Sequence, residues 1–225
     1  MAHPQSAAIQ IKICGLTRPE EAAACAALGA DAIGMIFYPP SPRNLSIEAA
    51  AAICAALPPP VAKIGVFVDA STETILDRTR RCGLTGVQLH GNEPPQTVLD
   101  LSAAGLIVIK ALFSARPPGL EAAAAYTPAA FLVECGRGRL PGGNAEVWNW
   151  REARRVAPLG PLVLAGGLSP DNVAQAIGAA APDAVDVSSG VESAPGRKNL
   201  ERVAAFIEKA RQAGPGKCRP VFAIC

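Results

Sequence analysis

Eight short apolar runs recur along this chain and alternate with alanine-rich segments of helical period. The runs start roughly 20 to 31 residues apart, which is the length of a strand, a helix and two loops in an eightfold barrel. We therefore predict an α/β fold, a single (β/α)8 TIM barrel, and rank a doubly wound open sheet second because such sheets usually have fewer strands. The predicted strands cover residues 9–13, 32–37, 61–68, 86–90, 106–111, 130–134, 161–165 and 183–187.

Helix start signals lie between these strands. Ser46, Ser71 and Ser169 each precede a helical segment as candidate N-caps. Thr17, followed three residues later by Glu20, has the pattern of a capping box. The predicted helices cover residues 18–28, 46–56, 71–82, 93–104, 118–125, 148–158, 170–179 and 198–212.

Composition places the chain among soluble globular proteins, since half of its 225 residues are hydrophobic and its formal net charge is +2. No linker stands out, so we predict one domain over residues 1–225, with the barrel at about 9–210 and a tail at 214–225 that shows no periodicity. The densest basic group, residues 78–81, has no interleaved aromatic residues, and no apolar run approaches the roughly 18 residues of a membrane span. We expect neither nucleic acid nor membrane as a partner.

The chain contains seven cysteines, an odd number without a C-x-x-C pair. This usage indicates reduced thiols in a cytoplasmic protein rather than a disulfide framework, and it predicts no metal site. The first residues lack the basic segment and apolar core of a signal peptide.

In a (β/α)8 barrel the loop after each strand faces the active-site end, so residues there are candidates for chemistry. Cys14 ends the first predicted strand and Glu134 ends the sixth. An isolated cysteine is more often a buried apolar filler than a base. A thiol and a carboxyl group together nevertheless supply a proton acceptor and a proton donor, the minimum set for an isomerase that moves hydrogen between neighbouring atoms.

Two loops rich in glycine and serine follow the last two strands, where barrel enzymes often hold phosphate. Glycines let backbone N–H groups approach an anion, and serine hydroxyls donate to it. We therefore predict a phosphate site formed by Gly166, Gly167, Ser188, Ser189 and Gly190.

Arg43 lies in a loop that three prolines stiffen, and a preordered arginine can bind a carboxylate with two parallel hydrogen bonds. An exposed arginine without any specific role is the more common case. His90 and Asp69 each allow two interpretations, because each follows a strand and each can line a pocket or cap a loop.

Seven segments, in this order along the chain, resemble phosphoribosylanthranilate isomerase, a family of cofactor-free enzymes of tryptophan biosynthesis. The resemblance runs from about residue 9 to residue 210 and leaves the tail outside. The segments are KICGLT at 12–17, FYPPSPR at 37–43, GVFVD at 65–69, VQLHG at 87–91, PGG at 141–143 with WNW at 148–150, LAGGL at 164–168 and DVSSGVE at 186–192.

The resemblance implies an Amadori rearrangement of N-(5'-phosphoribosyl)anthranilate to 1-(2-carboxyphenylamino)-1-deoxyribulose 5-phosphate, without cofactor or metal. Carried over by position, Cys14 becomes the general base at C2, Glu134 the general acid at the ring oxygen, and Arg43 the partner of the anthranilate carboxylate. The further substrate-binding positions are Gln88, His90 and Asp186, and the phosphate-binding positions are Gly166, Gly167, Ser188, Ser189 and Gly190. The expected partner is a small phosphosugar, and the chain is expected to be a monomer or a homodimer.

One departure from the family pattern falls on the acid, because Glu134 stands where the family has aspartate. Glutamate moves the carboxyl group by one methylene, and a displacement of roughly 1 Å can cost about 100-fold in rate. A non-catalytic or weakened phosphosugar-binding barrel is therefore the alternative. A related isomerase of histidine synthesis, which acts on an aminoimidazole carboxamide ribotide, is disfavoured because aspartate is expected there in place of Cys14.

Overall fold

The computed structural model describes residues 8–137, 147–214 and 218–222. Eight parallel strands pair in chain order, and the last pairs with the first, so that the sheet closes into a barrel. The predicted (β/α)8 barrel is confirmed, and each strand lies within a few residues of its predicted position. The strands are β1 (Gln10–Cys14), β2 (Ala32–Phe37), β3 (Ala62–Phe67), β4 (Gly86–Leu89), β5 (Ile107–Phe113), β6 (Ala130–Glu134), β7 (Leu162–Leu164) and β8 (Ala184–Val187).

A helix follows each barrel strand in the described part of the chain, although after β5 and after β6 it is a 3-10 helix. These two are Leu120–Ala125 and Trp150–Arg155. The α-helices are α1 (Pro19–Ala27), α2 (Ile47–Ala56), α3 (Thr72–Cys82), α4 (Pro95–Ala103), α5 (Val173–Ala180) and α6 (Leu200–Ala213). After β8 the chain forms a 3-10 turn at Ser189–Val191 and a small hairpin of β9 (Glu192–Ala194) and β10 (Arg197–Lys198). The PGG segment at 141–143, which is part of the family resemblance, lies outside the described residues.

Two of the predicted helix caps are confirmed. The Ser46 hydroxyl accepts a hydrogen bond from the backbone N–H of Ala49, and Ser71 accepts one from the N–H of Thr74. Each serine thus satisfies one of the N–H groups that the first helical turn leaves without a partner.

The capping box predicted at Thr17 is wrong. The N-cap of α1 is Arg18, which makes no side-chain cap bond. The Thr17 hydroxyl instead donates to the carbonyl of Gly196 at 2.6 Å. Since Gly196 lies in the turn between β9 and β10, the hydroxyl is used to hold that hairpin over the start of α1.

The start of α5 also differs from the prediction. Ser169 forms a turn before the helix, in which its hydroxyl accepts from the N–H of Asp171 and its own N–H donates to the side chain of Asn172. These local bonds compete with the first helical turn, so α5 begins at Val173 and not at residue 170.

Alternating residues of the strands build two separate apolar layers. In β5, Ile109, Ala111 and Phe113 point into the barrel, whereas Val108 and Leu112 pack against the surrounding helices. The same alternation in β1 directs Ile11 and Ile13 outward and leaves the side chains of residues 12 and 14 inside the barrel. None of the described helices is long and apolar enough to cross a membrane.

The tail, which the sequence left without an interpretation, closes the amino-terminal end of the barrel. Val221 and Phe222 are buried in the interior layer. Gln10, the first residue of β1, accepts hydrogen bonds from both of their N–H groups through its side-chain oxygen. Arg219 forms an ion pair with Asp183 at 2.6 Å, just before β8. Residues 218–222 are called the tail segment below.

Candidate active site

The opposite end of the barrel, where the carboxyl ends of β1 to β8 lie, is called the mouth. Cys14 and Glu134 are the last residues of β1 and β6, and both side chains are buried there. Gln88 is the third residue of β4 and His90 follows that strand. The strand geometry therefore brings the predicted base, the predicted acid and two predicted substrate contacts to the same end of the barrel.

Cys14 is packed against a buried ion pair. Lys12, two residues earlier on β1, is fully buried, and its Nζ lies 3.0 Å from Oδ1 of Asp186 on β8. Burial raises the pKa of the Cys14 thiol above its usual value, and the positive charges of Lys12 and Lys198 offset only part of this effect.

Gly34 on β2 makes room for this arrangement. A Cβ atom built at that position would lie 2.6 Å from the Cys14 sulfur and 3.0 Å from Nζ of Lys12. The sulfur and the ammonium group therefore occupy the space that any other side chain at position 34 would need.

Arg43 is buried at the mouth and not exposed, with 6% of its surface accessible. Its Nε and Nη2 donate to the two carboxylate oxygens of Glu192 at 2.8 and 2.6 Å. Lys198 donates to the same carboxylate at 2.7 Å. Although burial alone would raise the pKa of Glu192, these hydrogen bonds and charges bring it below its usual value. Sequence reasoning quoted Glu192 only as part of a motif and missed its contact with Arg43.

The side chain of Arg43 lies across Gly15, the residue after the predicted base. Gly15 has a φ of +77°, which favours glycine, and a Cβ there would be 2.5 Å from Cδ of Arg43 and 2.9 Å from Oγ of Ser188. Within the described chain this Ser188 hydroxyl is buried and has no hydrogen-bond partner. An unsatisfied buried hydroxyl beside an arginine is a group that a bound ligand can complete.

Glu134 is linked to Gln88 through His90. Nε2 of His90 lies 3.3 Å from Oε1 of Glu134, and Nδ1 lies 2.9 Å from the Gln88 amide nitrogen. Because the amide N–H donates to Nδ1, the imidazole hydrogen is on Nε2 and donates to Glu134. The Gln88 oxygen is buried and has no partner among the described residues, so it can accept a hydrogen bond from a ligand.

The two predicted phosphate loops touch each other. A Cβ on Gly190 would lie 1.8 Å from the carbonyl oxygen of Leu168, so only glycine allows this approach. Gly166 and Gly167 both have positive φ angles, of +84° and +69°. The indole N–H of Trp148 donates to the Ala165 carbonyl at 3.0 Å and so fixes the end of β7. Ser189 begins the 3-10 turn that carries Gly190.

Arg116, in the loop after β5, is a further candidate that the sequence did not single out. Its guanidinium carbon lies 3.5 Å from the ring centroid of Phe113, and the ring of Phe113 meets His90 edge-on at 5.3 Å. Its Nε and Nη2 are buried without a hydrogen-bond partner in the described residues. The loop has neither a motif nor a periodicity that signals such a stacked arginine.

Comparison with known proteins agrees with this geometry. The family model described as N-(5'-phosphoribosyl)anthranilate isomerase matches residues 11–209. An enzyme of that name from Desulfatibacillum aliphaticivorans is 52% identical over 206 residues, covering 92% of this chain and 94% of its own. One from Myxococcus xanthus is 44% identical over 207 residues, covering 90% and 96%.

Solved structures give the same result. The crystal structure of the isomerase from Thermotoga maritima matches with a TM-score of 0.83 at 38% identity, covering 91% of this chain and 99% of that one. A structure of the isomerase in complex with reduced 1-(o-carboxyphenylamino)-1-deoxyribulose 5-phosphate matches with a TM-score of 0.81 at 38% identity and the same coverage. From the match of the family model and the identity to these relatives, the chain belongs to the N-(5'-phosphoribosyl)anthranilate isomerase family.

Proposed function

We propose that this chain catalyses the Amadori rearrangement of N-(5'-phosphoribosyl)anthranilate to 1-(2-carboxyphenylamino)-1-deoxyribulose 5-phosphate, a step of L-tryptophan biosynthesis. The observation that carries the proposal is the presence of a thiol, Cys14, and a carboxyl group, Glu134, at the same barrel mouth beside a buried arginine, Arg43. The family match supports this function over a non-catalytic sugar-binding barrel.

Glu134 acts first, as the general acid. Its carboxyl proton goes to the ribose ring oxygen, and the bond between C1 and that oxygen breaks with its electron pair passing to oxygen. The nitrogen lone pair of the anthranilate forms the C=N bond to C1. His90, whose Nε2 lies 3.3 Å from Oε1 of Glu134, holds the carboxylate that remains.

Cys14 acts next, as the general base. Its thiolate removes the proton from C2, and the electron pair of that C–H bond forms the C1=C2 double bond while the nitrogen becomes neutral. The resulting enolamine loses the proton of its C2 hydroxyl and gains one at C1, which gives the ketone. No proton is gained or lost overall, so neither a cofactor nor a metal enters the balance.

The substrate-binding roles follow from the polar groups at the mouth. One edge of the Arg43 guanidinium binds Glu192, and the edge that faces away from Glu192 binds the anthranilate carboxylate. Gln88, His90 and Asp186 contact the sugar. The phosphate is held by the two loops that meet at Leu168, through Gly166, Gly167, Ser188, Ser189 and Gly190.

Turnover of freshly prepared substrate tests the function directly. The purified protein is expected to abolish the anthranilate-type fluorescence of N-(5'-phosphoribosyl)anthranilate, while Cys14→Ala and Glu134→Gln lower kcat by about 100-fold or more. Glu134→Asp retains the carboxyl group and is expected to keep much of the parent rate. Binding of a product analogue without any turnover by the parent would overturn the proposal.

We also propose the surroundings in which the enzyme works. Cys14, Cys25, Cys54, Cys82 and Cys135 are buried free thiols, which supports a reducing, cytoplasmic location. The partner is a small phosphosugar rather than nucleic acid or membrane, and the protein is a monomer or a homodimer. Light scattering coupled to gel filtration distinguishes the two assemblies.

A further inference from the structure

Lys12 is a buried cation directly below the proposed base. Its side chain points into the barrel on the same side of β1 as Cys14, and none of its surface is accessible. An ammonium group is expensive to bury unless it is paired. The register of β1 against β8 places Lys12 opposite Asp186, whose carboxylate accepts its hydrogen bond at 3.0 Å.

The Cys14 sulfur lies near this ammonium group on the same side of β1. The positive charge of Lys12 favours the thiolate over the neutral thiol. The sulfur and Nζ flank one point above Gly34, and any side chain at that position would separate them or push them aside. The packing of β1 against β2 therefore keeps the ammonium group and the sulfur close together.

The charges that face Cys14 come from four elements. Lys12 on β1, Lys198 on β10 and Arg43 in the loop after β2 are cations, and Asp186 on β8 is a carboxylate. Burial raises the pKa of the thiol, and the charge of Asp186 raises it further. Of the two cations that lower it, Lys12 has the larger effect, and Lys12 is also the one whose ammonium group shares the space above Gly34 with the sulfur.

We propose that Lys12 is a positioning residue for the base: its ammonium group, anchored by Asp186, holds the Cys14 sulfur and stabilises it as a thiolate. The thiolate forms when the thiol releases its proton to solvent, and the charge of Lys12 makes this ionisation more favourable than burial alone would allow. Lys12 stays protonated throughout and exchanges no proton with the substrate. The inference deepens the proposed function, since it rests on Cys14 acting as the base.

Alkylation of Cys14 by iodoacetamide as a function of pH tests this role, because only the thiolate reacts. The extent at Cys14 is read from its peptide by mass spectrometry, with Cys25 and Cys54 as buried internal references. In Lys12→Met the midpoint of the Cys14 profile is expected to rise by about one pH unit or more, so alkylation below the midpoint slows about tenfold. Lys12→Arg keeps the charge and is expected to stay close to the parent. An unchanged midpoint in Lys12→Met would overturn the inference.

Lys110 provides a matched control. It is equally buried and pairs with Glu93 at 2.8 Å, but it lies on β5 with its side chain towards the helices. Lys110→Met therefore removes a buried cation of the same kind without touching Cys14, and the Cys14 midpoint is expected to stay where it is. If the Cys14 midpoint rose as much in Lys110→Met as in Lys12→Met, the effect would come from a general loosening of the protein interior. That result would overturn the role of Lys12.

A measurement on the parent protein covers the case in which Lys12→Met does not fold. The 13C resonance of the Lys12 ε-carbon is expected to shift as Cys14 titrates, and the shift is expected to vanish in Cys14→Ala. A Lys12 ε-carbon resonance that does not shift as Cys14 titrates would contradict the proposal. Neither readout needs turnover, so a chain with a normal Lys12 response and no isomerase activity would refute the proposed function alone.

Discussion

Glu192 binds Arg43 through both of its carboxylate oxygens, although the two residues lie 149 positions apart in the chain. This contact fixes the plane of the guanidinium that we propose binds the substrate carboxylate. Arg43 is buried and so depends on the pair, because truncating one partner of a buried charge pair leaves the other uncompensated.

We therefore expect Glu192→Gln to raise KM by about tenfold or more with a smaller effect on kcat, since it misplaces a binding group and leaves the base and the acid in position. Steady-state kinetics on the fluorescent substrate measure the split. Glu208→Gln is the control, because Glu208 is exposed on α6 and accepts a hydrogen bond from Gln212 on the same helix. A drop confined to kcat would contradict the assignment of Arg43 to substrate binding.

Gly34→Ala is expected to lower kcat/KM by about tenfold or more, because its Cβ would fall 2.6 Å from the Cys14 sulfur and would move it. Gly178 in α5 offers the comparison, since a Cβ there meets nothing within 4 Å. Gly178→Ala should keep full activity and gain about 0.5–1 kcal/mol of stability. Full activity of Gly34→Ala would show that the sulfur has room to move.

Arg116→Met is expected to raise KM by about tenfold, because the parent guanidinium has buried nitrogens that an anionic group of the substrate can satisfy. Methionine keeps contact with Phe113 but cannot donate a hydrogen bond. Arg80→Met on the exposed face of α3 removes the same charge away from the mouth and should leave KM unchanged. Equal KM values for the parent and Arg116→Met would remove Arg116 from the binding site.

The tail segment makes stability depend on pH through Asp183. Burial alone would raise the pKa of this carboxyl, but hydrogen bonds from Arg219 and from the N–H of Leu162 bring it below its usual value. A depressed folded-state pKa contributes stability above the unfolded pKa of about 3.9, and this stability is lost as the pH falls through the lower folded value.

Thermal melts of Arg219→Met against pH test this linkage. The variant should melt at a lower temperature than the parent at neutral pH, and the difference should shrink as the pH falls below about 4 towards the lower folded-state pKa of Asp183. The surface control is Arg197→Met, whose half-exposed ion pair is worth about 0–1 kcal/mol. If the difference in melting temperature between Arg219→Met and the parent were the same at every pH, the ionisation of Asp183 would not be its cause.

Removing the tail segment tests its role in closing the barrel. Truncation after Gly214 exposes the interior layer that Val221 and Phe222 cover, and deleting buried side chains of this size costs about 2–5 kcal/mol. The melting temperature should fall by roughly 5–15 °C for a chain of this length. Activity at low temperature should persist because the mouth lies at the other end. An unchanged melting temperature would contradict this packing role.

The barrel was predictable because its signal repeats. Each strand is an apolar run of a few residues with turn residues on both sides, and the spacing of eight such runs leaves few alternatives. The same logic placed Cys14 and Glu134 at one end of the barrel, since it requires only that each residue ends a strand. Caps such as Ser46 and Ser71 were predictable because their bonds are local.

The contacts that the sequence did not predict join distant segments of the chain. The pairing of Arg43 with Glu192 and of Lys12 with Asp186 depends on strand register and loop course, and no pattern within either segment encodes them. Thr17 shows the converse, because a local capping pattern was overridden by the carbonyl of Gly196 from the hairpin after β8. The two buried apolar residues of the tail segment belong to no repeating pattern, so hydrophobic periodicity does not reveal their burial.

Because the tail segment closes one end of the barrel and the proposed site lies at the other, stability and chemistry can evolve in separate parts of this protein. We expect changes in residues 218–222 to alter the stability of the barrel without altering what it binds. The exception is β1, five residues long, where Gln10 binds the tail segment at one end and Cys14, the proposed base, lies at the other. Stability and chemistry therefore both constrain β1. A substitution in this strand that improves one of the two is expected to affect the other as well.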